Sequence, residues 1–236
     1  MGPPGSAVSE SLILTSKDLG VVEDVRGVEW AIGSLFKQGQ ATFKDELGVG
    51  FAWGIEPDDR KVLSDLGLFS VIEGRDLKKG DKFKVVVGYN HAFEEIWERN
   101  IEIGDTIEIE GVEFKVVGVR GKIGNPFDDN AVSVPKEILR ELLDVGDEES
   151  QIVVKVEEGF DPKEVADEIE IKLRKSRDED MEQETFNVRT SEQLLDTLNN
   201  IFAVVQGVMV VIPAISLSFG GIGIMNTLYT SVLEIK

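Results

Sequence analysis

Polar and apolar positions alternate most cleanly between Thr106 and Val119. Thr106-Ile107-Glu108-Ile109 and Val112 to Val119 both have a period of two, and Glu110-Gly111 between them predicts a tight hairpin. Val28–Phe36 and Ala41–Ile55 also lean towards strand, with Lys37-Gln38-Gly39-Gln40 as their expected turn. Gly48, Gly50 and Gly54 predict bulges or a loop in the second of these arms. Further strands are expected at Phe83–Gly88, Ala131–Val134, Gln151–Val156 and Thr185–Val188. Helical signals lie between them. Thr15 or Ser16 caps Lys17–Arg26, which Gly27 closes, and Pro57 opens a short helix to Leu66. Asn90–Arg99 places Phe93, Ile96 and Trp97 on one face. Pro135–Leu143 and a helix from Asp161-Pro162 to Leu173 follow, the latter setting up a ferredoxin-like strand–helix–strand order with its flanking strands. The class is α+β.

The alternation stops near the end of the chain. Thr190 or Ser191 caps a helix carrying Leu194, Leu195 and Leu198, and from Thr197 to Leu233 there is no charged residue. A bilayer core needs roughly 20 apolar residues in a helix, so residues 192–200 are expected to form a stalk and 201–226 a membrane span. Ser191, Leu194 and Leu198 mark the start of that rod. Pro213 is a candidate hinge within it, because proline removes a helical hydrogen bond. Gly220, Gly221 and Gly223, with Asn226, form a small-residue surface suited to close helix packing in lipid.

Composition narrows the function. A net charge of −20 is ill suited to a phosphate backbone, so no nucleic-acid partner is expected. There is no cysteine, hence no disulfide framework, thiol nucleophile or zinc-finger spacing. Met1–Ser11 lacks the basic and apolar regions of a secretory signal, so none is expected.

Candidate chemistry is sparse. His91, the single histidine, has no second histidine or cysteine to complete a metal set or triad, and is expected to be exposed or to cap a helix. Asp128-Asp129-Asn130 lacks the spaced ligands of a calcium loop and is read as loop solubility. The charged run Lys172–Glu184 reads as a solvated helix end. No Walker motif occurs, and no cofactor, metal or catalytic residue is assigned.

Ala214-Ile215-Ser216-Leu217-Ser218-Phe219-Gly220-Gly221-Ile222-Gly223-Ile224-Met225-Asn226, followed by Ser231-Val232-Leu233-Glu234, closely resembles the second transmembrane helix of MacB/FtsX-like ABC transporter permeases, typically AISLLVGGIGIMN leading to SVxERTREIG. Leu14-Thr15-Ser16-Lys17-Asp18, Gly27-Val28-Glu29, Glu73-Gly74-Arg75, Ile103 to Ile107, Phe114 to Val119 and Asp129 to Pro135 resemble the extracytoplasmic core domain of the same permeases. The resemblance implies a two-lobed extracytoplasmic domain. Residues 1–7 would be a linker, 8–57 and 150–191 a porter-like lobe, 58–149 a small inserted α+β lobe, and 227–236 the start of a cytoplasmic segment. It also implies a first membrane helix before this region and two more after it. The expected function is that of a non-catalytic permease component in the cell membrane, coupling ATP-driven dimer movement to export or mechanotransmission. Its expected partners are an ABC ATPase subunit, a second permease in a homodimer or pair, the lipid bilayer and an extracytoplasmic adaptor. A membrane-tethered sensor or binding module, and a membrane-anchored hydrolase, are the alternatives.

Overall fold

The computed structural model describes residues 13–65, 67, 69–94, 96–181, 183–203, 206 and 209. One compact unit runs to Val188 and a second begins at Arg189.

The first unit opens with β1 (Leu14–Thr15) and α1 (Ser16–Glu23). A capping box starts α1: the Thr15 hydroxyl accepts from the Asp18 amide at 3.4 Å, and the Asp18 carboxylate accepts from the Thr15 amide at 2.8 Å. Two long strands follow, β2 (Val28–Phe43) and β3 (Glu46–Ile55), then α2 (Pro57–Asp65), β4 (Val71–Gly74), β5 (Lys84–Val87) and α3 (Tyr89–Phe93). The expected hairpin is present as β6 (Thr106–Ile109) and β7 (Val112–Arg120), with Ile109 opposite Val112. The chain continues through α4 (Pro126–Asp129), β8 (Ala131–Pro135), α5 (Lys136–Leu143), β9 (Glu148–Glu149), β10 (Gln151–Val156) and α6 (Pro162–Arg177).

The pairings close a ring. β2 pairs with β3, β3 with β8, β8 with β5, β5 with β7, β7 with β6, and β6 returns to β2 through Ala41 and Thr42. β4 extends the free length of β7, and β10 that of β2, so both long strands serve the barrel at one end and a flanking layer at the other. Phe43, Val85, Val87, Ile107, Phe114, Val116, Val132 and Val134 belong to the main core cluster. A second cluster binds α1 and α6 to β10 and the first half of β2 through Val22, Val25, Ala31, Val165, Ile169 and Leu173. A third, with Ile32, Ile55, Leu63 and Phe69, lies beneath α2.

The structure corrects several expectations. The turn of the long hairpin is Lys44-Asp45, both at positive φ (47° and 68°), and Lys37–Gln40 lies in regular register opposite Ala52–Val49. Gly48 and Gly54 make no bulge. A side chain on Gly48 would meet the Trp97 ring, and one on Gly54 would meet Lys136 and Leu139, so these positions are small because neighbours approach closely. The helix expected at Asn90–Arg99 ends at Phe93, and the chain folds back so that Ile101 donates its amide to the His91 carbonyl at 2.9 Å. Thr185–Val188 forms no strand, leaving the strand–helix–strand unit without its last member. Phe186 packs into the α1–α6 core instead.

Candidate functional site

A buried polar cluster surrounds Glu149 in β9. Lys136 and Arg140 are one helical turn apart on α5 and so project from the same face. Glu149 Oε1 accepts from Lys136 Nζ at 2.9 Å and from Arg140 Nη2 at 2.7 Å, and the residue is only 2% exposed. The carboxylate rests on Gly33 of β2, where an added Cβ would lie 2.7 Å from its carboxyl carbon. Lys136 also donates to the Gly33 carbonyl at 3.1 Å, and Arg140 donates to the Ser16 hydroxyl at 2.9 Å and the Glu148 carbonyl at 3.1 Å. Lys37 meets Glu148 at 2.6 Å, and the Ser150 hydroxyl donates to the Phe36 carbonyl while accepting from its amide. These contacts join α1, β2, α5 and the β9–β10 segment. Nearby, burial raises the carboxyl pKa of Glu56 and Asp59, with Lys136 opposing.

A second cluster joins the two ends of this unit. Arg177, in the last turn of α6, donates to Asp18 Oδ2 at 2.6 Å, to the Ile13 carbonyl at 2.7 Å and to the Thr185 hydroxyl at 2.6 Å. Burial alone would raise the Asp18 carboxyl. The hydrogen bonds from Arg177 and Thr15 outweigh it and hold the group below the ordinary carboxylate range. The run Lys172–Glu184 therefore includes structural ion pairs, Arg174 with Glu184 and Glu170 among them, and is not merely a solvated tail.

Beside the Glu149 cluster is an open cavity of about 380 Å³, walled by Ile13, Phe36 and Trp53 and bordered by Lys37, Glu148 and Glu149. Trp53 stands edge-on to Phe36 and to Phe69, and Phe69 carries the buried guanidiniums of Arg60 and Arg120 within 5.2 and 5.4 Å of its ring centre. Burial lowers the pKa of Arg120 to about 10.

His91 is neither exposed nor a cap. It is buried, accepts from Trp97 Nε1 on Nδ1 at 2.9 Å and donates from Nε2 to the Asn130 carbonyl at 2.8 Å. Burial depresses its pKa to about 4 and keeps it neutral. Asp129 is also buried and accepts the amides of Ile123 and Gly124 at 2.7 and 2.9 Å, so it shapes the loop more than it solubilises it.

In the second unit, residues 191–203 are helical. Thr190 is the cap: Gln193 donates its amide to the Thr190 hydroxyl at 3.2 Å, and Thr190 returns its own amide to the Gln193 side chain at 3.0 Å. Ser191 is the first helical residue, and Leu194 and Leu198 are exposed apolar positions on that helix. Pro213, Gly220, Gly221, Gly223 and Asn226, and most of the expected span, lie outside the described residues. Among the described residues no helix is long and apolar enough to cross a membrane, and no group of three or more His, Cys, Asp or Glu side chains could hold a metal.

Sequence patterning pointed to none of Glu149, Lys136, Arg140, Arg177, Phe36 or Trp53. The available signal was the i, i+4 basic pair on α5, which resembles any solvated helix face until its acidic partner is placed.

A family model described as the MacB-like periplasmic core domain matches residues 2–172. The chain belongs to this family. It is 34% identical over 229 residues to the ABC transporter permease MJ1507 of Methanocaldococcus jannaschii, covering 96% of this chain and 56% of that protein. It is 24% identical over 239 residues to the macrolide export ATP-binding/permease protein MacB of Bdellovibrio bacteriovorus, covering 98% of this chain and 37% of that protein. The chain thus spans about half, or less, of the length of these relatives. In fold it is similar to the extracellular domain of YknZ, a noncanonic ABC-type transporter of Gram-positive bacteria (TM-score 0.60, 18% identity, covering 80% of this chain and 96% of that one). It is likewise similar to the periplasmic region of MacB from Actinobacillus actinomycetemcomitans (TM-score 0.61, 15% identity, covering 79% and 83%). MacB-like core domains therefore share this mixed α+β architecture.

Proposed function

We propose that the chain supplies the extracytoplasmic lever of a membrane-embedded ABC permease, carrying ATP-driven movement from the bilayer to the barrel. The observation that carries this reading is the meeting of residues 13–18 with residues 177–185 at Arg177. A domain inserted between two membrane helices receives its motion through two adjacent ends, and here residues 13–18 and 177–185 are joined by the Arg177–Asp18 ion pair and the hydrogen bond from Arg177 to the Ile13 carbonyl. The Glu149 cluster then joins α1 to α5 and β2, giving displacement of the base a polar, well-packed route into the barrel. In the two-lobe reading, the α1–α6–β10 layer is the porter-like base and the segment around residues 58–149 the inserted lobe.

On this reading the chain does no bond chemistry. ATP is hydrolysed by a separate subunit or domain, consistent with the family's permease names and with the ATP-binding part named in the Bdellovibrio relative. The permease works as a pair of protomers, with an adaptor on the extracytoplasmic side. The helix at 191–203 links the domain to the uncharged segment that follows, which would span the bilayer with Gly220, Gly221, Gly223 and Asn226 on its packing face and Pro213 as its hinge.

The test uses the full-length permease with its ATPase in proteoliposomes. Inserting Gly-Ser after Leu198 is expected to leave ATP hydrolysis running while export or extracytoplasmic signalling is lost. Unchanged coupling overturns the lever. Failure of the intact permease to bring down a Walker-motif ATPase favours a tethered sensor instead.

A further inference from the structure

We propose that the loop between β4 and β5, with the strand surface beside it, is a docking surface for an acidic polypeptide segment outside the membrane. The sequence there runs against the balance of the chain: residues 75–84 carry Arg75, Lys78, Lys79, Lys82 and Lys84 against only Asp76 and Asp81, in a chain of net charge −20. Both of those carboxylates are already held by arginine. Asp81 accepts from Arg75 in a fork at 2.7 and 3.2 Å, and Asp76 meets the buried Arg60 at 2.7 Å. Lys79 reaches only Asp58, at 3.8 Å with both groups exposed, and among the described residues Lys78, Lys82, Lys84 and Lys115 have no carboxylate within ion-pair distance. The backbone that carries these ammoniums is fixed. Asp81 accepts the Lys78 amide and donates its own to the Lys78 carbonyl, each at 2.9 Å, and Leu77 is buried beneath the loop. A surface held in place in this way loses little freedom when a partner arrives.

The strands extend the patch. Lys84 lies opposite Lys115 in the β5–β7 ladder, and both face outward, because Val85, Phe114 and Val116 point into the core. Like charges directly opposite destabilise a sheet, a cost that carboxylates seated between the two ammoniums would offset. Glu113, two residues along β7 on the same face, and its cross-strand partner Glu108 bound the patch on the β6 side. Phe83, 51% exposed and edge-on to Phe114 at 5.9 Å, stands among the lysines and offers an apolar contact that a polypeptide side chain can use and a hydrated phosphate cannot. In the strand order β10-β2-β3-β8-β5-β7-β4 the patch is at the opposite end from β10 and the α1–α6 layer, where residues 13–18 meet residues 177–185. On the lever reading, on which this placement rests, it is therefore turned to a protein in the extracytoplasmic space and away from the bilayer.

The probe is a blocked, fluorescently labelled peptide of glutamates around a central leucine, titrated into the 236-residue chain in neutral detergent and read by anisotropy. Saturable binding is expected, weakening about tenfold between about 50 and 300 mM salt, because screening acts on an attraction. Contact with the rest of an acidic surface would show the opposite sign, since salt relieves repulsion. Lys78→Gln, Lys82→Gln and Lys115→Gln together are expected to weaken binding about tenfold, as the loss of three exposed ion pairs implies. Lys44→Gln, Lys163→Gln and Lys175→Gln change the net charge equally and should leave affinity within about twofold. All six lysines are exposed, so both triple variants should fold, which a cooperative melt checks. Phe83→Ala is expected to weaken the leucine peptide about threefold and to spare an all-glutamate one. No saturable binding at millimolar peptide, equal loss in the two triple variants, or affinity that rises with salt each overturns the docking surface. If phosphatidylglycerol mixed micelles bind through the same lysines and the peptide does not, a lipid headgroup replaces the polypeptide and the proposal fails. The insertion after Leu198 leaves this loop untouched, so failure of the lever and failure of the docking surface are read separately.

Discussion

Arg177 and Asp18 are 159 residues apart in sequence and 2.6 Å apart in the fold. Asp18 serves two structures at once: it accepts from Thr15 in the capping box that starts α1, and it receives the guanidinium that ends α6. One carboxylate therefore sets both the start of the domain and its closure.

Removing one member of this pair is expected to be expensive because the other stays partly buried and unpaired. Arg177→Met should cost about 3 kcal/mol in urea unfolding, and a double-mutant cycle with Asp18→Asn should show strong coupling. Since the Asp18 carboxyl is held below its ordinary value, the stabilisation is complete at neutral pH and is lost as pH falls through that depressed value. The stability gap between wild type and Asp18→Asn should accordingly close in acid.

The Glu149 cluster predicts an asymmetry. Glu149→Ala strands Lys136, 4% exposed, beside the Gly33 carbonyl and should lower stability by about 3–5 kcal/mol. Combining Lys136→Met with Glu149→Leu removes the fully buried pair and leaves Arg140, 12% exposed, only its Ser16 and Glu148 carbonyl acceptors, so it should recover part of that loss. Denaturant midpoints of the single and double variants measure the difference.

His91 should make the domain acid-sensitive well above the carboxylate range. With its folded pKa near 4 and its ordinary value at 6.5, the unfolded chain takes up the proton first as pH drops. Stability is full above pH 6.5 and should fall by about 2 kcal/mol by about pH 5. His91→Gln should flatten the slope in that window, which denaturation at a series of pH values would reveal.

Two glycines should respond oppositely to alanine. Gly20 lies inside α1 with nothing near the position of an added Cβ, so Gly20→Ala should stabilise by about 0.5–1 kcal/mol. At Gly88 the new carbon would collide with the Asp129 and Ala131 carbonyl oxygens, and Gly88→Ala should cost about 1–3 kcal/mol. Thermal melts of the two variants should shift in opposite directions.

The hairpin turn offers a gain. Lys44 and Asp45 both occupy the left-handed region, where Asn-Gly is the preferred pair. Lys44→Asn with Asp45→Gly should raise stability by about 1 kcal/mol, read as a higher melting temperature without change in circular dichroism shape.

The local rules carried far in this chain. Period-two alternation located β6 and β7 and their Glu110-Gly111 turn, because a hairpin is specified by the residues that form it. Proline and acid at helix starts located α2 and α6, and a capping Thr190 or Ser191 ahead of Leu194, Leu195 and Leu198 marked the helix that follows. The long hairpin was misplaced by eight residues or fewer for a physical reason: Gly39 resembles a turn, whereas Lys44-Asp45 turns under tertiary constraint despite the cost to lysine of positive φ.

Sequence alone determined the α+β class, the acid balance, the lack of a thiol or Walker site, and the resemblance to a permease core domain, since each depends on composition or on neighbours along the chain. Tertiary structure decided the rest. That β6 returns to β2 and closes a barrel, that His91 is buried against Trp97, and that Glu149 meets Lys136, Arg140 and a cavity depend on which distant surfaces come together. A charge on a helix face has the same sequence signature whether water or a buried carboxylate receives it, and only the packed fold distinguishes the two.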